Sequence, residues 1–198
     1  MVKIIERVTC MELNEWFEKG LTPKDYISQM TVNKEELQAI YEKFSLTDTE
    51  KDRLAPLKDM NLKVIVLTED WCGDALLNNP VLLKIAEETN MDVRFLLCDQ
   101  NLELMDQYLT NGTSRSIPIF IFLNEIGEEQ AVWGPRANSI QEMVDVERSK
   151  LPSKEDPEFQ EKQKALFKKF KTAYQQKSDL WHVVAESIIN TIRKISID

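Results

Sequence analysis

One segment of the 198-residue chain concentrates the residue types of thiol chemistry: Glu69, Asp70, Trp71, Cys72, Gly73, Asp74 and Ala75, in unbroken succession. It follows an apolar run over 62–68 and precedes a helical pattern, so Cys72 is predicted at a helix N-terminus. There the unpaired backbone N–H groups and the helix dipole favour the thiolate, which is the nucleophilic form. The carboxylates of Glu69, Asp70 and Asp74 act in the opposite sense, because like charge raises a thiol pKa. Asp74 also suits the first helical turn as a plain electrostatic partner of the dipole. Cys98 ends a second apolar run. It could bridge Cys72 only if the two Cα atoms came within about 7 Å, and a small buried core residue is the expectation for it. Cys10 receives no role.

The elements that must position this segment follow from periodicity. Over the first sixty residues the pattern is of short helices. Thr9 to Glu12 reads as a capping box, with Gly20 as a stop and Leu13, Trp16 and Phe17 on one face. Thr22 and Pro23 open a second helix, and Asn33 caps a third bearing Leu37, Ile40, Tyr41 and Phe44 at helical spacing. A fourth spans 45–59 and ends or kinks at Pro56. From residue 62 the grammar changes to strand 62–68, helix 72–88, strand 91–98, helix 102–109, strands 118–123 and 128–133, and helix 138–150. The order β-α-β-α-β-β-α implies a mixed sheet with helices on both sides. A polar linker, 151–157, precedes helix to the end. Phe167, Phe170 and Tyr174 form one stripe of it, and Trp181, Val184, Ile188, Ile192 and Ile195 another. Lys162, Lys164, Lys168, Lys169 and Lys171 read as a solvated face, with a partner-binding helix as the other reading.

Composition excludes several classes. With 25 Lys+Arg against 34 Asp+Glu the formal charge is −9, unsuited to nucleic acid or anionic membrane surfaces. No run reaches the ~18 apolar residues of a membrane helix, and the N-terminus has no signal-peptide core, so a cytoplasmic protein is expected. The five glycines are not spaced for a nucleotide loop, and a lone histidine, His182, excludes His-pair metal sites. Three scattered cysteines are neither a disulfide framework nor a zinc finger. No metal and no organic cofactor is expected.

The motif segment and its surroundings resemble the thioredoxin family over roughly 63–146. Trp71-Cys72-Gly73 matches the start of the family's Trp-Cys-Gly-Pro-Cys motif, and Pro80 the proline of its active-site helix. Asp99-Gln100-Asn101 matches the Asp-x-Asn after the second core strand, and Ser116-Ile117-Pro118 the Gly-Ile-Pro that carries a cis-proline. Gly134 stands where the family has a glycine beside the site. The resemblance implies a thioredoxin-like α/β three-layer sandwich at 61–150, extended by helices at 1–60 and 151–198, the latter packing back on the domain. It implies Cys72 as the attacking cysteine, Trp71 covering it with its indole N–H directed to Asp99, and Pro118 opposite. The Ile117 backbone would then be free to pair with a peptide strand.

The departures from the family are specific. The second cysteine of the motif is Ala75, and the family's proline is Asp74. The family's buried Asp and its partner Lys, which assist the resolving thiol, are Val66 and Phe95. The site is self-consistent as monothiol or inactive, not as a dithiol reductase. Asp74-Ala75 does not match the Phe-Ser of monothiol glutaredoxins, and Glu69 stands where peroxiredoxins need Thr. Two function classes follow. One is monothiol exchange through Cys72 with a protein or low-molecular-weight thiol or disulfide, in cell redox homeostasis. The other is a non-catalytic module that binds a protein or peptide in the Trp71/Pro118 groove. The terminal helices are candidates for a homodimer contact under either.

Overall fold

The structure is a computed structural model and describes residues 12–196. Four short helices come first: α1 (Leu13–Lys19), α2 (Pro23–Gln29), α3 (Lys34–Lys43) and α4 (Asp48–Leu54), the last running into a 3-10 turn at Ala55–Leu57 that contains Pro56. The capping box of α1 is formed by Glu12 and Glu15. Thr9, and Cys10 with it, lies outside the described residues. Thr22 caps α2 with Pro23 in the first turn, as the sequence pattern requires. Asn33 is the N-cap residue of α3, as expected, but in a left-handed conformation and without a side-chain capping bond: its side-chain N–H₂ donates to the Asp70 carbonyl instead.

The remainder alternates: β1 (Lys63–Thr68), α5 (Gly73–Thr89), β2 (Asp92–Leu97), α6 (Leu102–Met105), β3 (Ile119–Leu123), β4 (Glu129–Trp133), α7 (Asn138–Arg148), α8 (Phe159–Gln176) and α9 (Ser178–Ile192). The sheet order is β2-β1-β3-β4, with β1 parallel to β2 and the other pairs antiparallel. This is the mixed sheet of a thioredoxin-like α/β fold. Helix α6 is only one turn long, so the first half of the expected helix 102–109 is helical and the second half is turn and loop. The C-terminal region is two helices. Lys177 is extended between them, and the Trp181 indole N–H donates to the Tyr174 carbonyl at 2.7 Å across the corner.

Side chains alternate across the sheet with period two, and both faces are covered. Val64, Val66, Phe120, Phe122 and Trp133 face the larger core, which they share with α2–α5 and the C-terminal helices. Ile65, Leu67, Ile119, Ile121 and Leu123 face a smaller core closed by Trp16 and Phe17 of α1 and by Leu104 and Met105. That is why β1 reads as a continuous apolar run. Trp181, Val184, Ile188 and Ile192 of α9 are buried in the larger core, as are Phe170 and Tyr174 of α8. The helices on both sides of the sheet region in sequence therefore share one core with the sheet. Phe167, from the same stripe, does not join it and stays 48% exposed.

Candidate functional site

Strand β1 ends at Thr68 and α5 begins at Gly73, so the motif spans the corner between them with Cys72 at the N-cap. The thiol is held at that corner. Cys72 is 8% exposed, and its S–H donates to the Ile117 carbonyl at 3.4 Å. The Ile117–Pro118 peptide is cis, and both residues are buried. The carbonyl that the resemblance left free for a peptide strand thus accepts one bond, from the thiol itself.

Burial pushes the Cys72 thiol well above its ordinary value, to about 11, and the Asp74 carboxylate adds to the rise. The N–H groups of Ala75 and Asp74 and the Arg136 guanidinium oppose it without reversing it. Desolvation, which the motif itself does not display, therefore sets the direction. The other two carboxylates are turned to structural work. Asp70 accepts from the Thr31 and Val32 N–H groups and the Thr31 hydroxyl, tying the motif to the α2–α3 linker. Those bonds hold its carboxyl below the usual range against partial burial. Glu69 is buried and accepts from the Asp99 backbone N–H at 2.8 Å; burial raises its carboxyl.

Trp71 does not bond Asp99. Its ring is 57% exposed, and Asp99 meets the motif only through its own N–H and Glu69. Gly73 has open space where a Cβ would stand. Gly134 is more demanding: φ is +134°, and a Cβ there would lie 2.3 Å from the Pro118 carbonyl oxygen. It fixes the approach of β4 to the cis-proline loop. Val66 and Phe95, the replacements for the family's charged pair, are direct cross-strand partners on β1 and β2. Tyr26 of α2 stacks on Phe95 with ring centroids 4.3 Å apart. An aromatic stack from the N-terminal helices occupies the layer where that pair would need charge. Cys72 and Cys98 are both free thiols in the smaller core.

Two residues complete the site: Arg136, which the sequence pattern does not mark, and Tyr174, which it marks only as part of a packing stripe. Arg136 makes a bidentate pair with Asp74, Nε to Oδ1 at 2.8 Å and Nη2 to Oδ2 at 2.5 Å, with both side chains nearly nine-tenths buried. The Tyr174 hydroxyl, from α8, donates to the same Asp74 Oδ1 at 3.2 Å. Asp74 is therefore the centre of a cluster, beyond its place in the first turn of α5. Arg136 and Tyr174 lie 62 and 100 residues from it in sequence, with no local motif to mark them. Above this cluster is a groove of about 470 Å³. Trp71, Cys72 and Asp74 form one side, and Phe167, Phe170 and Tyr174 of α8 the other. Ile117, Pro118 and Gly134 are not in its wall. Among the described residues no cluster of His, Cys, Asp and Glu could hold a metal, and no helix is long and apolar enough to cross a membrane.

Fold and site together define a thioredoxin-fold protein with one thiol at the motif corner. The sequence over residues 20–150 matches a family model described as thioredoxin, and the chain belongs to that family. Among solved structures, it is similar to an HIV epitope scaffold at 14% identity and a TM-score of 0.66, covering 93% of this chain and 97% of that one. It is also similar to a protein of unknown function from Pseudomonas aeruginosa, at 15% identity and a TM-score of 0.60, covering 89% of this chain and 98% of that one. At these identities the likeness is one of fold. No functionally curated protein matches the chain.

Proposed function

We propose that this protein is a thioredoxin-fold binding module whose ligand sits in the groove beside Cys72. The observation that carries the reading is where exposed apolar side chains gather. Trp71 at 57%, Phe167 at 48% and Val32 at 43% exposure all line this one groove. Exposed apolar surface concentrated on a concave site marks a binding surface. Cys72 forms part of the floor with its proton kept on sulfur by burial. Ala75 leaves no neighbouring thiol to resolve a mixed disulfide. Free Cys72 and Cys98 go with a reducing, cytoplasmic setting.

A second reading, monothiol exchange, is favoured by one specific feature: the Asp74 and Ala75 N–H groups and Arg136 face the sulfur and would stabilise a thiolate once formed. In that reaction the Cys72 thiolate attacks one sulfur of a disulfide. A new S–S bond forms, the old one breaks, and the leaving thiolate takes up a proton. An external thiol then releases Cys72.

The test follows the Trp71 indole N–H resonance during a screen of small fragments, alongside turnover of hydroxyethyl disulfide with dithiothreitol as reductant. Binding predicts hits that shift the Trp71 indole N–H and the Phe167 backbone N–H in the wild type and in Cys72→Ser, and that no longer shift the Phe167 N–H in Trp71→Ala, with no turnover above background. Turnover that disappears in Cys72→Ser would replace the binding reading with the exchange reading.

A further inference from the structure

We infer that the groove takes a compact organic anion: an apolar or aromatic body between Trp71 and Phe167, with its acidic group at Arg148 and Lys168. This rests on the binding reading above and names the class of ligand. Against a chain charge of −9, the groove wall holds four cations, Arg136, Arg148, Lys168 and Lys171, and one carboxylate, Asp74. Two of the cations are already neutralised, Arg136 by Asp74 and Lys171 by Glu36. Arg148, in the last turn of α7, and Lys168, on α8, are exposed, and neither side chain is in an ion pair among the described residues. They stand at one groove with the exposed aromatics, on two elements that converge only in the tertiary fold. An acid reaching both would form charge-assisted hydrogen bonds, which are about twice as strong as neutral ones.

The occupant is compact rather than an extended peptide strand for two reasons. The volume, about 470 Å³, is that of a small-molecule site. The Ile117 carbonyl, which strand pairing would need, is not in the wall and already accepts the Cys72 thiol. The selectivity also has a source outside the family match. Phe167 and Lys168 lie on α8, whereas the match ends at residue 150. The C-terminal addition thus supplies the wall that gives the groove both an aromatic ring and a charge.

The test uses a matched pair of probes on the full chain: anilinonaphthalene sulfonate, and N-phenylnaphthylamine, the same ring system without the sulfonate. Affinity is read by fluorescence titration and location by the Trp71 indole N–H shift. The expected result is that the sulfonate binds at Trp71 at least about tenfold tighter than the neutral probe, the ratio of one good charged contact. The double variant Arg148→Gln/Lys168→Gln should remove most of that difference and leave the neutral probe within about twofold. Both residues are exposed, and unchanged thermal melting confirms that the variant is folded. Equal binding of both probes at Trp71 would overturn the anion assignment and leave the groove a binding site. Binding of neither probe at Trp71, with a Kd of about 1 mM or better, would overturn the assignment and the binding reading together.

Discussion

Alkaline destabilisation through Cys72 is the sharpest quantitative consequence of the site. Burial and Asp74 lift the folded-state thiol to about 11. In the unfolded chain a cysteine ionises near its free value of about 8.5. Below that pH both states hold the proton, and Cys72 contributes no pH dependence. Between it and about 11 the unfolded state has released a proton that the folded state keeps, so stability falls as pH rises. At 1.36 kcal/mol for each pH unit of difference, the accumulated loss by the top of this window is about 3 kcal/mol. Urea unfolding at about pH 8 and about pH 10.5 measures it, as the difference between the wild type and Cys72→Ala. That difference matters because Tyr26, raised to about 12, and Tyr174 and Tyr108, both raised by burial, act in the same direction at the alkaline end. Thiolate absorbance in a Cys10→Ser/Cys98→Ser background gives the titration directly. Asp74→Asn should lower that titration by about one pH unit, leaving burial to hold it above the free value. A Cys72 titrating below about 8.5, or equal pH slopes in wild type and Cys72→Ala, would refute the reasoning that burial governs this thiol.

Other consequences are as specific. Arg136→Gln should destabilise by about 3 kcal/mol, because it leaves Asp74 unpaired in a nearly buried site, and should move the Cys72 titration further up; chemical denaturation and absorbance read the two effects. Gly134→Ala forces a Cβ against the Pro118 carbonyl at positive φ and should cost about 2–4 kcal/mol, measured as a fall in denaturation midpoint. Trp181→Ala should cost about 3–5 kcal/mol by chemical denaturation, since it opens the core at the α8–α9 corner and removes the bond to Tyr174; in the same assay Phe167→Ala should stay within about 0.5 kcal/mol. Burial would raise Glu50, but bonds from His182 and from the Thr47 N–H and hydroxyl hold its carboxyl below the usual range. Its contribution is therefore present above about pH 4.5 and lost as pH falls, so Glu50→Gln should flatten the acid limb of the stability curve.

The path from sequence to site was uneven, and the reasons are physical. Strand 63–68, the helix after Cys72 and the order of elements were legible because local periodicity encodes which face of each element is buried. Pro23 at the first turn of α2 and Gly20 at the end of α1 were legible because caps are local chemistry. Phe167, by contrast, sits at the same helical spacing as Phe170 and Tyr174 yet is exposed beside Trp71. Periodicity names a face but not where the neighbouring element ends. The joint at Lys177 was hidden because the Trp181–Tyr174 bond that closes it exists only once both helices are packed.

By itself the sequence determined the class of fold, the single thiol at a helix start, and the absence of a neighbouring resolving cysteine. The last two depend on residues close together in the chain, and the first on local patterns that recur in a fixed order along it. Tertiary structure alone decided the state of that thiol. Its burial, its bond to Ile117, and the Asp74–Arg136–Tyr174 cluster beside it depend on a loop, a helix and a C-terminal addition that meet only in space. Desolvation is a property of everything that surrounds a group, so no local reading of Cys72 could weigh it against the helix dipole.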